Sequence, residues 1–444
     1  METPIADFAE AYRQRNAVRM HMPGHKGRTL QGMEALDLTE IEGADVLYAT
    51  RGIIRESENH AAELFGTART VYSTEGSSLC IRAMLTLARM TAAEKGLPFR
   101  VLAGRNAHKT LMTAAALLDL EIDWLPPAER DGILSCGAER ETVEEALRQK
   151  EYMAVYLTSP DYLGNRADIR GIAAVCRRFG VPLLTDNAHG AYLKFLEKDA
   201  HPIALGADIC CDSAHKTLAC LTGAAYLHIA HSAPASWAEQ AEAVMALYAS
   251  TSPSYLILAS LDRMNARLAG DEPRRIRETA GRVQAMKDRL RGRGWETAGD
   301  EPMKLTLRTK GFGWTGTALA EELSRKGIIP EFADPDYLVL MPSSETGEED
   351  WRRTEKALDG IQAGPRIMEK PPVIPAAERV CGIREAMLSP RERVALDQAE
   401  GRVLADPLAG CPPAVPPVIA GERISREAVR CLRYYGLDAC MVMK

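Results

Sequence analysis

The chain has 444 residues, of which 46% are hydrophobic and 26% are charged, and its formal net charge at pH 7 is −6. This composition is ordinary for a globular protein of two or three domains. The acidic balance argues against nucleic acid as the main partner, because such partners need a basic face. No apolar run reaches the ~18 residues that would suggest a membrane span.

The N-terminal stretch METPIADFAEAYRQRN is polar and acidic. Thr3 followed by Pro4 is typical of a helix start, with proline at the first helical position. The stretch does not resemble a secretory signal, so a cytoplasmic location is expected. The ten cysteines are scattered and form no Cys-x-x-Cys pair, which favours reduced thiols that pack as small hydrophobic residues.

Strands and helices alternate from about residue 70 to residue 230. The predicted strands are 70–74, 99–103, 121–125, 153–158, 182–186, 208–212 and 224–229. The predicted helices are 78–96, 108–120, 142–150 and 172–180. This alternation predicts an α/β fold with a mostly parallel seven-stranded sheet and helices on both of its faces.

The remainder of the chain predicts further domains. A helical region covers roughly 234–292, and a smaller α/β unit follows, with strands at 304–308 and 337–341 and helices at 316–327 and 348–362. The Pro-rich segment 364–375 reads as a linker, and the tail opens with a helical pattern at 376–388. The predicted domains are an N-terminal arm (1–60), a large domain (61–292), a small α/β domain (293–365) and a C-terminal tail domain (376–444).

Polar motifs recur where predicted strands end, and such sheets bind ligands beyond the carboxyl ends of their strands. Glu75-Gly76-Ser77-Ser78 lies between a strand and a helix. There, helix amides and serine hydroxyls can bind an anion, although serine at a helix start is also common for structural reasons. Asp186 ends a buried strand and needs a cationic or hydrogen-bonding partner, or else it is a turn residue.

Lys216 lies between two apolar strands and is therefore expected near the core, where lysine is rare unless its amine is engaged. A desolvated lysine has a lowered pKa and becomes a nucleophile for Schiff-base formation. Pyridoxal phosphate requires such a lysine, a carboxylate for its ring nitrogen and a phosphate cradle, and the chain offers all three in order. His108, His189 and His215 can be read either as core residues or as part of this site.

These motifs resemble the Orn/Lys/Arg decarboxylase family of fold-type I (aspartate aminotransferase-like) pyridoxal-phosphate enzymes, in its short form without an N-terminal receiver-like domain. The resemblance covers nearly the whole chain. It rests on HMPGHKG (21–27), ELFGTARTVYSTEGSS (63–78), RNAHKT (105–110), TSPDYLGNRADI (158–169), DNAHGAYLKF (186–195), SAHKTLACLTGAAYLH (213–228), TSPSYLILASLD (251–262), REAM (384–387) and CPPAVPPVIAGE (411–422).

The resemblance implies a role for each matching residue. Lys216 would form the Schiff base with the cofactor, Asp186 would pair with the pyridine nitrogen, and His108 would stack on the ring. The other expected cofactor contacts are Ala188 on the opposite face, Ser159 and His189 near the ring hydroxyl, and Gly76, Ser77, Ser78, Ser213 and His215 at the phosphate. His25 would lie behind these residues, and a metal site at His21 and His25 is not expected, because Pro23-Gly24 separates them.

The chain departs from the family pattern at several positions. Asn187 stands where glutamate is usual, Glu75 where asparagine is usual, and Asp161 where threonine is usual. Ala219 and Ala420 replace prolines, and Cys411 replaces tyrosine. Glu75 and Asp161 would change the charge beside the site, and either could receive a cationic substrate side chain. The other acids considered for that role are Glu331, Asp334 and Glu422.

The resemblance implies decarboxylation of arginine, lysine or ornithine to a polyamine precursor. An aminotransferase or another pyridoxal-phosphate lyase is the alternative, because a fold does not set the reaction; Arg384 would then be a candidate for the substrate carboxylate. A cofactor-binding protein without turnover is a third reading, which the intact Lys216, Asp186 and His108 oppose. The family also implies a homodimer, or a multiple of one, with the active site between subunits.

Overall fold

The computed structural model describes residues 1–126, 138–407 and 415–444. All seven strands predicted for the large sheet are present, and their spatial order is β1-β7-β6-β5-β4-β2-β3. They are β1 (Arg69–Ser73), β2 (Arg100–Gly104), β3 (Glu121–Leu125), β4 (Ala154–Thr158), β5 (Leu183–Asp186), β6 (Ile209–Asp212) and β7 (Ala225–Ile229). Every residue of β1, β5, β6 and β7 is buried, as expected for strands that are covered on both faces.

The sheet is mostly parallel. β5 pairs with β6 in parallel, as β2 does with β3. β7 runs antiparallel to both of its neighbours, β1 and β6. Because β1 and β6 are each antiparallel to β7, they run in the same direction. The segments that follow β1 and β6 therefore leave the sheet at the same edge.

The residues group into two compact units. The first unit comprises Met1–Pro98, Met153–Val155 and Ile169–Arg277. Its helices are α1 (Pro4–Gln14), α2 (Ile53–Phe65), α3 (Ser77–Lys95), α6 (Ile169–Phe179), α7 (Pro202–Leu205), α8 (Ala214–Thr217), α9 (Ala235–Ala246) and α10 (Tyr255–Leu268). The predicted helix start at Thr3-Pro4 is confirmed, with Thr3 as N-cap. α3 packs against β1, β5, β6 and β7 and against α9.

The second unit comprises Phe99–Tyr152, Tyr156–Asp168 and Glu278–Lys444. The helices that lie wholly within it are α4 (Lys109–Leu118), α5 (Arg140–Gln149), α12 (Gly316–Arg325), α13 (Glu348–Asp359), α14 (Ile383–Leu388) and α15 (Arg426–Tyr434). α11 (Glu272–Gly292) begins in the first unit and continues into the second.

A four-stranded antiparallel sheet in the second unit has the order β10-β11-β9-β8. Its strands are β8 (Glu296–Ala298), β9 (Leu305–Arg308), β10 (Phe332–Ala333) and β11 (Tyr337–Leu340). A hydrophobic cluster that includes Leu307, Leu319, Leu338 and Leu358 forms the core beneath it. The predicted strands and helices of the smaller α/β unit are therefore confirmed, whereas the short strands β8 and β10 were not predicted.

The C-terminal tail differs from the sequence prediction. Only Ile383–Leu388 is helical within the predicted stretch 376–388. The residues before it pair with a distant segment: Val380 N–H donates to the Gly421 carbonyl at 2.8 Å, and Arg423 N–H donates to the Glu378 carbonyl at 2.9 Å. An unpredicted antiparallel pair, β12 (Arg391–Ala395) with β13 (Ala439–Met443), packs on α15 over its own small core. The residues 411–414 of the Pro-rich turn, and with them the Cys411 departure, lie outside the described residues.

Candidate active site

Asp186 lies at the carboxyl end of β5. Its side chain is 2% exposed, and it accepts a hydrogen bond from the Ala188 N–H at 3.1 Å. The parallel register places Asp186 beside Cys211 of β6, whose thiol donates to the Asp186 carboxylate at 3.6 Å. A buried carboxylate at a sheet edge can receive a proton or a protonated nitrogen from a ligand.

Lys216 lies in α8, the short turn that follows β6. Its Nζ is 3.2 Å from Nε2 of His189. Ala214 and Thr217 of the same turn are buried, whereas Lys216 is exposed, so the expectation of a desolvated lysine is not met by this chain. The reason is helical geometry. Positions 214 and 217 are three apart and share the face toward the core, which directs Lys216 away from it.

Gly76 precedes α3 with φ +71°, a conformation that favours glycine. A Cβ atom added there would lie 3.9 Å from Cε1 of His215. The Gly76 N–H donates to the Gly223 carbonyl at 2.7 Å, and a side chain at Gly223 (φ +100°) would come within 2.6 Å of the Thr74 carbonyl oxygen. Glycine at position 223 therefore allows the loop between β1 and α3 to pack closely against the segment that precedes β7.

Ser77 and Ser78 open the 19-residue helix α3, whose N-terminus carries a partial positive charge. The Ser213 hydroxyl donates to the Ser77 hydroxyl at 2.8 Å, which joins the segments that follow β1 and β6. This arrangement is a suitable anion site. The sequence placed these residues at one sheet edge, and the structure brings them together.

His215 is oriented by the backbone. Its Nδ1 lies 2.9 Å from the Ala224 carbonyl oxygen, and since a carbonyl only accepts, Nδ1 carries a proton and donates. Burial lowers the pKa of His215, and the charge of Lys216 lowers it further. The ring is therefore mainly neutral near pH 7.

His108 and Ser159 belong to the second unit. His108 is the N-cap of α4, where its Nδ1 accepts a hydrogen bond from the Thr110 N–H at 3.3 Å and pairs with the Thr110 hydroxyl at 2.8 Å. Ser159 is buried, and its hydroxyl accepts from the Ala167 N–H at 3.1 Å. Both side chains are thus held in place, and their contacts with a cofactor remain predictions.

Two of the acids considered for the substrate side chain have structural partners. Asp161 is buried and accepts from the Asn165 backbone N–H at 2.8 Å and from its side-chain amide at 2.9 Å. Glu422 is buried and receives two hydrogen bonds from Arg105, at 2.7 and 3.0 Å. These carboxylates hold the protein's own loops together.

The other three acids differ in exposure. Glu75 is exposed and accepts one hydrogen bond, from the Ser250 N–H at 2.7 Å. Glu331 is exposed and accepts from the Tyr162 hydroxyl at 2.9 Å. Asp334 is buried, and its carboxylate accepts from the backbone N–H groups of residues 336 and 337, each at 2.7 Å. Burial raises the pKa of Asp334 to about 6.

Two further candidates make local contacts. Arg384, considered for a substrate carboxylate, donates to the carbonyls of Ala116 and Leu117 at 2.9 and 3.1 Å, at the C-terminal end of α4. His25 bridges its own loop: its Nε2 is 3.2 Å from the Asp37 carboxylate, and its Nδ1 accepts from the Gly27 N–H at 3.0 Å. These hydrogen bonds hold the protein's own segments together, and they do not indicate a catalytic role for Arg384 or His25.

A buried polar cluster behind β5 and β6 was not predicted. The Asp212 carboxylate is fully buried and lies 3.0 Å from His201 Nε2, 3.3 Å from His228 Nε2 and 2.7 Å from the Asn187 amide nitrogen. Burial by itself would raise the pKa of Asp212, but the two histidines hold it well below its usual range. The sequence offered one indication of this cluster: Asp212 is the last residue of β6, just as Asp186 is the last residue of β5.

The sequence profile of the Orn/Lys/Arg decarboxylase major domain matches residues 3–299, and the profile of the C-terminal domain of that family matches residues 372–439. The chain belongs to the Orn/Lys/Arg decarboxylase family. Its members are pyridoxal-phosphate-dependent amino acid decarboxylases, a class of lyases, so the resemblance drawn from the motifs is confirmed.

Individual relatives of the decarboxylase family cover almost the whole chain. An arginine decarboxylase of Bacillus subtilis is 28% identical over 99% of this chain and 94% of its own length. The uncharacterized protein YaaO of the same organism is 29% identical over 97% and 94%. The solved structure of the constitutive lysine decarboxylase of Escherichia coli aligns over 100% of this chain and 82% of that chain, with a TM-score of 0.77 at 19% identity, which confirms the fold.

The residues of the first unit fit pyridoxal phosphate. This cofactor requires a phosphate-binding site, a carboxylate and a lysine amine. The first unit provides the N-terminus of α3 with Gly76 and two serines, the buried carboxylate of Asp186 and the amine of Lys216. They lie at the same edge of the sheet and are connected by the hydrogen bond between Ser213 and Ser77.

Proposed function

We propose that this protein removes the α-carboxylate of a basic amino acid, namely arginine, lysine or ornithine, with pyridoxal phosphate as cofactor. The observation that carries the proposal is the convergence of Lys216, Asp186 and the Gly76-Ser77-Ser78 cradle at one sheet edge within the first unit. Arginine is the first substrate to test, because relatives named arginine decarboxylase from Bacillus subtilis, Bacillus anthracis and Halalkalibacterium halodurans are 26–29% identical to this chain.

Each residue has a defined task in this proposal. Lys216 would hold the cofactor aldehyde through Nζ, Asp186 would keep the ring nitrogen protonated, and the α3 N-terminus with Ser77 would bind the phosphate. Pyridoxal phosphate, when bound, supplies the electron sink that accepts the electron pair of the broken bond. Ala188, His108 and Ser159 would add contacts to the ring, as the family resemblance implies.

His189 is placed to move a proton. Its Nε2 lies 3.2 Å from Nζ of Lys216, within reach for direct transfer. His189 is itself 5% exposed, so its ring is held and largely shielded from water. Whenever Nζ does not hold the cofactor, a proton can therefore pass directly between the two nitrogens.

Glu75 is the acid we propose for the cationic end of the substrate. It directly precedes the Gly76 cradle, is exposed, and accepts one backbone hydrogen bond. A carboxylate has room for about four hydrogen bonds, so Glu75 retains capacity for a guanidinium or an ammonium group. Asp161, the other acid that departs from the family pattern, already binds Asn165 through both of its oxygens.

We also propose that the protein acts as a homodimer through its N-terminal segment. Val18, Met20, Met22 and Leu30 of the first unit have 86%, 89%, 70% and 80% of their surface exposed. Exposed apolar side chains that recur along one segment favour a surface that binds a partner, and a second copy is the partner implied by the family.

The reducing, cytoplasmic location likewise remains a proposal, which the eight free cysteines among the described residues support. None of the helices within the described ranges combines the length and hydropathy that a bilayer crossing requires.

The test is product analysis. The purified protein is loaded with pyridoxal phosphate and incubated separately with arginine, lysine and ornithine, and the amine is identified by mass spectrometry. Lys216→Ala should lose both the visible absorption of the bound cofactor and the amine product. Lys194→Ala is the matched control, because Lys194 pairs with Asp199 at 2.7 Å. Amine formation by Lys216→Ala, or none from wild type with any of the three substrates, would overturn the proposal.

A further inference from the structure

The carboxyl ends of β5 and β6 exchange side-chain hydrogen bonds. Cys211 of β6 points its sulfur at Asp186 of β5, at 3.6 Å. In the opposite direction, the side-chain amide of Asn187 donates to Asp212 at 2.7 Å. The Asn187 backbone N–H also donates to the Cys211 carbonyl at 3.0 Å. These contacts fix the main chain of Cys211 and so aim its thiol at one carboxylate oxygen.

Cys211 remains a protonated thiol in this position. The residue is 0% exposed, and burial together with the charge of Asp186 raises its pKa well above the usual value. The thiol therefore keeps its hydrogen, and can donate it to Asp186, at any pH near neutral. Because it is buried and not ionised, it is also a poor nucleophile.

A thiol is a weak hydrogen-bond donor. A hydrogen bond to the charged form of a carboxylate lowers its pKa in proportion to the strength of that bond. Hydrogen bonds from a hydroxyl to a carboxylate are shorter and withdraw more charge than hydrogen bonds from a thiol. The thiol can thus orient the carboxylate while leaving most of its negative charge available to a ligand.

We propose that Cys211 is a positioning residue for Asp186: its thiol holds one carboxylate oxygen in place and leaves the negative charge of the carboxylate available to the cofactor's ring nitrogen. This inference rests on the proposed role of Asp186. It concerns the electronic state of the site and does not make Cys211 a catalytic residue.

Cys210 supplies a matched control. It is the adjacent residue of the same strand and is equally buried, but its side chain lies on the other face, with its sulfur 3.9 Å from His201 Nε2. Cys210→Ser and Cys211→Ser therefore make the same chemical change at equal burial. A general effect of serine on packing should appear in both variants.

The first measurement needs no cofactor. The S–H stretching band of Cys211 is isolated as the infrared difference between the wild-type protein and Cys211→Ala. In Asp186→Ala, which removes the acceptor, this band should move to higher frequency, since the thiol loses its hydrogen bond. A band that is the same in wild type and Asp186→Ala would refute the inference, whatever the cofactor does.

The second measurement uses pyridoxal phosphate labelled with ¹⁵N in its ring. The chemical shift of the bound ring nitrogen is followed against pH for wild type, Cys211→Ser and Cys210→Ser. Cys211→Ser should lose the ring proton at a pH lower by roughly half a unit or more, with kcat reduced roughly threefold to tenfold and KM little changed. If Cys211→Ser titrates as Cys210→Ser does, the inference is wrong.

The two measurements separate the inference from the function on which it rests. If wild type fails to bind the cofactor at Lys216, the proposed function is wrong, and the infrared result still decides whether the thiol binds Asp186. If the cofactor binds normally and Cys211→Ser does not change the titration of the ring nitrogen, the proposed function is retained and the positioning role of Cys211 is refuted.

Discussion

The buried pair formed by Arg105 and Glu422 allows a test of whether Glu422 stabilises the fold or binds the substrate. Their side chains are 9% and 8% exposed, with hydrogen bonds of 2.7 and 3.0 Å between them. Glu422 also accepts from the Ile419 N–H at 2.9 Å, and Arg105 donates to the Pro416 carbonyl at 3.2 Å. The pair therefore ties the segment after β2 to the described end of the Pro-rich turn, within the second unit.

Glu422→Gln keeps the shape of the side chain but leaves the Arg105 charge buried without its counter-ion. At about 3 Å and an effective dielectric constant of about 20, the lost attraction is about 5 to 6 kcal/mol. Part of this loss is offset because one charge fewer is desolvated. The net cost of removing one partner from such a pair is about 3 to 5 kcal/mol. For a unit on the order of 200 residues, this is a decrease in Tm of roughly 6 to 20 °C.

The assay is thermal unfolding followed by tryptophan fluorescence, because four of the five tryptophans (Trp124, Trp295, Trp314 and Trp351) lie in the second unit. KM for the amino acid is measured in parallel below the transition and should change less than twofold. The double variant Arg105→Met with Glu422→Leu removes both charges and should recover most of the lost stability. An unchanged Tm together with a KM raised tenfold or more would refute the reasoning and make Glu422 the substrate acid.

Three further predictions concern other residues. Glu75→Gln should raise KM for the basic amino acid roughly tenfold with little change in kcat, since it removes one charge attraction of about 1 to 2 kcal/mol from both ground and transition states; an unchanged KM in steady-state kinetics would exclude Glu75. Asp334 has a folded pKa of about 6, raised by burial from 3.8, so the unfolded chain loses this proton first and the free energy of unfolding falls as pH rises from about 4 to about 6. Asp334→Asn should remove this loss and be more stable than wild type at pH 8 by at most about 3 kcal/mol; urea unfolding at pH 4.5 and pH 8 checks this, and an equal difference between the two proteins at both pH values would contradict it. Met20→Asp should shift the protein from dimer to monomer in analytical ultracentrifugation, because it places a charge among the exposed apolar side chains of the N-terminal segment. An unchanged sedimentation coefficient would locate the dimer contact elsewhere.

Local sequence patterns predicted the large sheet well. All seven strands lie within one residue of the predicted bounds, because each is a short apolar run bounded by polar or glycine-containing turns. The placement of Gly76-Ser77-Ser78, Asp186 and Lys216 at or directly after the ends of strands was also predicted correctly. The carboxyl ends of parallel strands lie at the same edge of the sheet. Residues at those ends are therefore expected to be neighbours in space.

The tail could not be predicted in the same way. The stretch 376–388 has a helical pattern, yet residues 378–381 pair with residues 421–423. β12 and β13 are separated by more than forty residues, and the exposed, charged side chains of β12 give it no strand-like alternation. Propensity is a weak signal, and it is overridden when a distant segment satisfies the backbone hydrogen bonds.

The sequence by itself determined the fold class and the family and indicated the candidate lysine, aspartate and phosphate-binding residues, because each depends on residues that are close together along the chain. Only the tertiary structure decided how the charges are distributed around them. It paired Glu422 with Arg105 across 317 residues, bound Asp161 to its own loop, gathered His201, Asp212 and His228 into one cluster, left Lys216 exposed and set the Cys211 thiol against Asp186. The energy of a buried charge depends on its partners and its distance from water, and neither can be read from residue order.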